Sequence, residues 1–152
     1  MSSCIFCKII SGEIPAAKIY EDDLVLAFLD IGPINFGHTL VIPKEHHESS
    51  STIPEAVAGR MFHVGSRIGI ALKRKFEYDA FNLHLADGTA AGQVVMHAHL
   101  HVVPRCVEDG FRWNWRQLAY KEGELPAFAE ELAAKVAADL GAKVAADLAK
   151  GE

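Results

Sequence analysis

Between residues 96 and 103, histidines alternate with small or branched apolar residues. This period of two is typical of a β-strand, whose successive side chains point to opposite faces of a sheet. The pattern predicts a strand with Ala98, Leu100 and Val102 facing a core. Three histidines should share its other face, roughly 6.6 Å apart at about 3.3 Å of rise per residue. A solvated face would also carry such residues, but three histidines in register favour a reactive or metal-binding face. The histidines are His97, His99 and His101.

Hydrophobic periodicity predicts the remaining elements. Strands are predicted at residues 17–20, 24–29, 38–42 and 81–85, and helical segments at 4–12, at 52–76 and from residue 126 onwards. A tight polar turn between the first two strands predicts a hairpin. Thr52 and Glu55 have the spacing of a capping box at the start of the long helix. These elements predict an α+β fold with a mostly antiparallel five-stranded sheet, one long central helix and a C-terminal helix.

The chain changes character after Pro104. Phe111, Trp113 and Trp115 alternate with polar residues, which predicts an extended segment whose aromatic face packs on the core or at a subunit contact. The alanine-rich C-terminal helix repeats residues 134–140 at 142–148, and we interpret this repeat as a local duplication. We expect a domain over residues 1–110 and an extension over residues 111–152, packed on that domain or continuous with it.

Composition excludes several classes of protein. A chain of 152 residues, half of them hydrophobic, can bury one proper core. The net charge of −5 argues against binding to a nucleic-acid polymer or an anionic membrane, although small phosphate ligands need only local donors. We expect no signal peptide, because the first residues carry neither a basic region nor a long apolar run. No stretch is long enough to span a membrane, so we expect a cytoplasmic protein.

Two of the three cysteines predict a metal site. Cys4 and Cys7 have the Cys-x-x-Cys spacing of zinc-binding thiolates. A tetrahedral site needs two further ligands, which His46, His47 or the predicted histidine strand could supply. Such a closed, structural site would join the N-terminal turn to the sheet. The alternatives are a pair of buried reduced cysteines, or a redox pair, which lacks the usual surrounding βαβ pattern.

The sequence resembles the histidine triad (HIT) family of nucleotide hydrolases and transferases, in its Hint-like branch with a Cys-x-x-Cys zinc site. The alternation His97-Ala98-His99-Leu100-His101-Val102-Val103 resembles the signature of this family. Further similar segments follow in collinear order at residues 4–15, 27–30, 37–44 and 91–93. The resemblance implies the HIT fold, with the sheets of two subunits joined in a homodimer.

The resemblance also implies a reaction at the α-phosphate of purine nucleotide conjugates, such as AMP or GMP phosphoramidates. His99 would be the nucleophile and would form a covalent nucleotidyl-histidine, while His101 would hydrogen-bond the phosphate or the leaving group. A neutral imidazole is a competent nucleophile near pH 7. The implied zinc ligands are Cys4, Cys7, His46 and His97, with the adjacent His47 not fully excluded.

The implied substrate-binding residues surround this centre. Asp30 would accept hydrogen bonds from both ribose hydroxyls. The loop from Gly88 to Gln93 would present backbone N–H groups to the phosphate. Two polar side chains of the family pattern are replaced here by Ala86 and Val94, and these replacements bear on the rate of turnover and on substrate preference. The substrate-binding set is Asp30, Ile31, Phe6, Ile9, Phe28, Leu29, Gly92, Gln93 and Val94.

Three alternatives stay open at this point. A dinucleoside polyphosphate hydrolase shares the glycine-bearing loop, but its glutamine is replaced by Ala86. A nucleotide-binding or partner-binding module with little turnover would explain the missing loop side chains, but the complete triad opposes it. A catalytic zinc hydrolase with all three triad histidines as ligands would leave Cys4 and Cys7 idle.

Overall fold

The computed structural model describes residues 4–112 and 114–149, without the side chains of residues 143–149. The chain forms two compact units, residues 1–111 and 112–152. Trp113, one of the three residues of the predicted aromatic face, lies outside the described residues. In the described part of the chain, no helix combines the length and the apolar character needed to cross a membrane.

The first unit is built on a five-stranded antiparallel sheet with the strand order β1-β2-β3-β5-β4. This sheet and its β1–β2 hairpin confirm the prediction. The strands are β1 (Lys18–Glu21), β2 (Val25–Leu29), β3 (Thr39–Pro43), β4 (Ala80–Leu85) and β5 (Leu100–Arg105). Because β5 lies between β3 and β4, the C-terminal strand of the sheet is flanked on both sides.

The described residues form three α-helices: α1 (Ile5–Ile10) and α2 (Glu55–Phe76) in the first unit, and α3 (Glu124–Ala149) in the second. The long central helix and the C-terminal helix are confirmed. The predicted capping box is wrong, because the N-cap of α2 is Pro54 and no side chain caps it. Thr52 instead donates a hydrogen bond to the carbonyl oxygen of Ser49, within a 3-10 turn that precedes the helix.

The two faces of the sheet are covered differently. On one face, the apolar stripe of α2 packs on a core that includes Val41 and Val102. Two glycines of α2, Gly65 and Gly69, let the helix come close to this core. A Cβ atom at Gly69 would lie 2.5 Å from the ring of Phe81, so this approach requires glycine. On the other face, the short helix α1 contributes the buried pair Phe6 and Ile9 to a second cluster. The second cluster also contains Leu26, Phe28, Leu40 and Ile42.

The strand predicted to start at Met96 is wrong over its first four residues, because β5 starts at Leu100. The backbone N–H of Ala98 donates to the carbonyl oxygen of His47 at 2.6 Å, in a loop rather than in a ladder. The predicted alternation of faces nevertheless holds. Ala98, Leu100 and Val102 are all buried in the core beneath α2. Burial of one face therefore keeps the alternation where strand pairing stops.

Candidate active site and metal cluster

A cavity of about 820 Å³ lies on the face of the sheet that carries α1. Its side-chain acids and bases are Asp30, His99 and His101, and all the other lining residues are apolar or glycine. Eight of the nine predicted substrate-binding residues line it, namely Asp30 and seven others. They are Phe6, Ile9, Phe28, Leu29, Ile31, Gly92 and Val94. Ile31 and Val94 are almost fully exposed at its rim.

His99 is buried at the end of this cavity, and its tautomer follows from its backbone contact. Its Nδ1 atom lies 2.7 Å from the carbonyl oxygen of His97. Because a carbonyl oxygen only accepts, Nδ1 carries the proton and the lone pair is on Nε2. The ring of Phe6 stands edge-on to His99, with 5.3 Å between centroids. His99 thus has one defined nitrogen with which to attack an electrophile.

His101 is positioned by a residue that sequence analysis did not assign to the site, His38. The Nε2 atom of His38 lies 2.9 Å from Nδ1 of His101. The backbone N–H of Ile34 donates to Nδ1 of His38 at 3.3 Å, so His38 carries its proton on Nε2 and donates it to His101. His101 therefore carries its own proton on Nε2. Its position at the cavity makes it a hydrogen-bond donor to a ligand.

Burial lowers the pKa values of two imidazoles of the site, His38 and His101. The pKa of His101 is lowered to about 4, chiefly by burial and then by the neighbouring His84, His99 and His38, while Asp30 opposes the shift. Burial also lowers the pKa of His38, against the opposing charge of Asp30. At neutral pH both rings are neutral, which preserves the donor and acceptor roles deduced from their hydrogen bonds.

Asp30 lies beside both the cavity and His38. Its Oδ1 atom accepts a hydrogen bond from the backbone N–H of Gly32 at 2.8 Å. Its Oδ2 atom lies 3.6 Å from Nδ1 of His38. One carboxylate oxygen is thereby fixed by the backbone, while the side chain remains partly exposed at the cavity. A ligand hydroxyl in the cavity would find a preoriented acceptor.

Gln93, predicted to bind substrate, does not line the cavity, and its side chain is buried. Its Oε1 atom accepts from the backbone N–H of Gly88 at 2.7 Å. Its Nε2 atom donates to the carbonyl oxygens of Glu48 and Val95, at 2.7 and 3.1 Å. The side chain holds the glycine-bearing loop against the loop that follows β3. This role depends on contacts that no local pattern encodes.

The second predicted group of side chains, Cys4, Cys7, His46 and His97, also comes together. One ligand atom of each lies within 4.8 Å of the others. The nearer N···S and N···N distances are 3.3–3.7 Å. A tetrahedral ion has bonds of about 2.3 Å to sulfur and about 2.05 Å to nitrogen. These bonds require an N···S distance of roughly 3.6 Å and an N···N distance of roughly 3.3 Å. The donor set and its spacing fit one four-coordinate metal ion.

The orientation of His97 supports this fit. Its Nε2 atom donates to the carbonyl oxygen of Pro43 at 2.9 Å, so the lone pair is on Nδ1, which faces the sulfur atoms. His47, left open by the sequence, does not belong to the cluster. Its Nδ1 atom lies 3.3 Å from the hydroxyl of Thr52. In the described residues, His97 belongs to the cysteine cluster, His101 to a separate group with Asp30 and His38, and His99 to neither.

The fold and the site define a small α+β protein whose apolar cavity ends at a cluster of imidazoles, beside four side chains of metal-binding geometry. The chain belongs to the HIT family, because the HIT domain is matched over residues 11–107. "Protein hit" of Bacillus subtilis is 44% identical over 138 residues, which cover 89% of this chain and 95% of that protein.

A further relative and two solved structures are also similar to this chain. A Schizosaccharomyces pombe relative, named adenosine 5′-monophosphoramidase hnt1, is 35% identical over 135 residues, 88% of this chain and 98% of that protein. The crystal structure of a HIT family protein from Bacillus anthracis superposes with a TM-score of 0.82 at 42% identity, covering 88% of this chain and 97% of that one. A Zn-bound histidine triad family protein from Mycobacterium smegmatis gives 0.70 at 44% identity, over 76% and 84%.

Proposed function

We propose that this protein is a nucleoside phosphoramidase, which hydrolyses AMP or GMP phosphoramidates or transfers their nucleotide. The observation that carries the proposal is the tautomer of His99. Its Nδ1–H donates to the carbonyl oxygen of His97 at 2.7 Å, which leaves the lone pair on Nε2. The name of the fission-yeast relative, a monophosphoramidase, supports the same class of substrate.

In the proposed first step, Nε2 of His99 attacks the α-phosphorus and the P–N bond to the leaving group breaks. The nucleotide is then bound covalently to His99, and the departing amine takes a proton from solvent. The Nε2–H of His101 donates to the phosphate or to the leaving group and stabilises the charge that develops there. In the second step, water attacks the phosphorus, the bond to His99 breaks, and nucleotide and a proton are released.

The proposed binding mode uses the rest of the cavity. Phe6, Phe28 and Ile31 belong to the apolar slot for the base, and the carboxylate of Asp30 accepts from the ribose hydroxyls. Gly92 and Val94 face the phosphate, and Gln93 acts through its contacts with Gly88. The slot also includes Ile9 and Leu29.

We further propose that Cys4, Cys7, His46 and His97 hold a structural zinc ion. Zinc is favoured by two thiolates and two imidazoles at these distances, and by the Zn-bound family member from Mycobacterium smegmatis. When bound, the ion would supply a closed tetrahedral cross-link without an open coordination position. Its ligands would join α1 and the residue before it to the loop after β3 and to the segment before β5.

The polarity of the cavity favours phosphoramidates over dinucleoside polyphosphates. Within the described residues, the lining of the cavity contains no lysine or arginine, and Asp30 adds a negative charge. A polyphosphate leaving group carries several negative charges and would be repelled there, unless cations accompanied it. An amine leaving group carries no such charge.

A substrate panel tests the proposal. An AMP phosphoramidate, an acyl-adenylate and a dinucleoside polyphosphate would be compared with the wild-type protein, His99→Ala and the control His63→Ala, which changes an exposed histidine of α2. We expect release of AMP from the phosphoramidate by the wild type and the control, but not by His99→Ala. Undiminished turnover by folded His99→Ala would refute the nucleophile. Binding of AMP without turnover of any substrate would favour a binding module.

The homodimer and the cytoplasmic location remain predictions. Light scattering coupled to size-exclusion chromatography would give the mass of the particle in solution, for which we expect twice the mass of 16.6 kDa. A mass of one chain would contradict the dimer without bearing on the chemistry at His99.

A further inference from the structure

A fourth imidazole, that of His84, lies against the site and has no part in the proposed reaction. In the antiparallel pair of β4 and β5, His84 is the direct partner of His101. The two rings stack with 4.5 Å between centroids and an interplanar angle of 6°. The planes are therefore parallel, and one face of the His101 ring is covered.

The pattern of β4 explains why His84 points this way. Phe81, Leu83 and Leu85 are partly buried and pack against the core beneath α2. Because side chains of a strand alternate, Asn82 and His84 must point to the opposite face of the sheet. The sequence left the direction of His84 open, and the register with β5 decides it. Only the pairing with His101, seventeen residues later, turns an exposed strand residue into a neighbour of the triad.

His84 completes a set of contacts around His101. His38 hydrogen-bonds the Nδ1 atom of His101. The ring centroids of His99 and His101 are 4.9 Å apart, and their planes make an angle of 59°. Rotation of the His101 ring about its Cβ–Cγ bond would carry Nδ1 away from His38 and break the hydrogen bond that sets the tautomer. A parallel ring against the face opposes this rotation.

We propose that His84 is a positioning residue, whose ring stacks on His101 and holds its Nε2–H toward the cavity. The activity part of this inference rests on the proposed phosphoramidase function, while the ring orientation does not. We expect loss of the stacked pair to change the orientational equilibrium of His101, or a rate that depends on it, by about two- to tenfold, which is the scale of a well-placed aromatic pair.

Electrostatics agrees with this geometry. The groups that face His101 are His84 on β4, Asp30 and His38 from the segment that leads into β3, and His99 on its own segment. Burial, followed by the charge that His84 would carry, lowers the pKa of His101. Burial also lowers the pKa of His84. The stacked pair is therefore neutral at pH 7, and the Nε2–H of His101 is available as a donor.

The decisive measurement is the tautomer of His101, read from its imidazole ¹⁵N chemical shifts at pH 7 in the full chain without substrate. We expect a single Nε2–H tautomer in the wild type and in His84→Phe, which keeps an aromatic ring on His101. His84→Ala should shift the signals toward the average of two tautomers. Unchanged shifts in His84→Ala would overturn the proposal. Averaged signals in folded His84→Phe would also overturn it, because an intact stack would then not suffice.

Steady-state kinetics with an AMP phosphoramidate gives the second measurement. We expect His84→Ala to lower kcat about three- to tenfold with KM changed less than twofold, and His84→Phe to restore kcat to within about twofold of the wild type. His63→Ala is the matched control on α2, and the thermal midpoint and particle mass of each variant exclude unfolding or altered assembly. Equal kcat in wild type and His84→Ala would refute the role. If the wild type turned over no substrate, the phosphoramidase proposal would fail, while the ¹⁵N shifts would still decide the role of His84.

Discussion

The Nε2 atom of His38 lies 2.9 Å from the Nδ1 atom of His101, and this contact decides which nitrogen of His101 carries the proton. His38 can donate because the backbone N–H of Ile34 occupies its other nitrogen. The hydrogen bond joins the residue before β3 to a residue of β5. On the other side of the His38 ring, Oδ2 of Asp30 lies 3.6 Å from Nδ1. A backbone amide therefore sets the tautomers of two side chains in succession.

Replacing His38 tests this chain of hydrogen bonds. His38→Ala removes the donor to His101, and we expect kcat for an AMP phosphoramidate to fall about tenfold, the scale of one lost hydrogen bond. His38→Asn keeps an N–H donor and should retain part of that activity. Steady-state kinetics on both variants is the measurement. Equal losses in the two variants would show that donation to His101 is not what His38 contributes.

The stability of the protein should decrease in acid because of His101. Its pKa is about 4 in the folded chain, below the usual 6.5, so the unfolded chain binds the proton more readily between these values. The contribution is complete above pH 6.5, is lost as pH falls toward 4, and stays lost below that. It amounts to at most about 3 kcal/mol at roughly 1.36 kcal/mol per pH unit, and to less because the ring is partly exposed.

Urea unfolding from pH 7 to pH 4 measures this loss. His101→Phe removes the titrating group and should show a shallower dependence on pH, whereas the exposed His63→Ala should follow the wild type. Parallel curves for His101→Phe and the wild type would contradict the assignment.

Removal of one cysteine tests the metal cluster. We expect one zinc ion per chain in the purified protein, and none in Cys4→Ser, because a tetrahedral site that loses a thiolate binds zinc far more weakly. The free energy of unfolding should fall by roughly 4 kcal/mol if zinc is present at about a thousandfold above its Kd. Elemental analysis and thermal unfolding are the measurements. Cys106→Ser changes an exposed cysteine outside the cluster and serves as the control. A full complement of zinc in Cys4→Ser would place the ion elsewhere.

Two glycines of α2 give a matched test of its packing. A Cβ atom at Gly69 would meet the Phe81 ring at 2.5 Å, so Gly69→Ala should destabilise the protein by about 1–3 kcal/mol. Gly59 has nothing within 4 Å of such an atom, and Gly59→Ala should stabilise it by about 0.5–1 kcal/mol through helix propensity. Chemical unfolding of both variants checks the two signs. Stabilisation by Gly69→Ala would mean that α2 does not need glycine there.

Much of the fold and part of the site follow from local pattern. A few neighbouring residues suffice to predict the alternation around His99, the apolar stripe of α2 and the polar turn of the hairpin. Strand ends and caps were less predictable. Residues 96–99 alternate in polarity as a strand would, but they pair with no strand. The backbone N–H of Ala98 donates instead to the carbonyl oxygen of His47, in a loop.

The sequence by itself determined the five strands, the long helix, the cysteine pair and the face shared by the three histidines, because burial of one face of an element imposes a period that the chain must carry. Tertiary structure decided the partners. His84 reaches His101 through the register of β4 with β5, and His38 reaches it from the residue before β3; they lie 17 and 63 residues from it along the chain. The carbonyl oxygens of Pro43 and His97 orient the imidazoles of His97 and His99, and a backbone acceptor is present at every residue, so no sequence pattern can show which one an imidazole will meet.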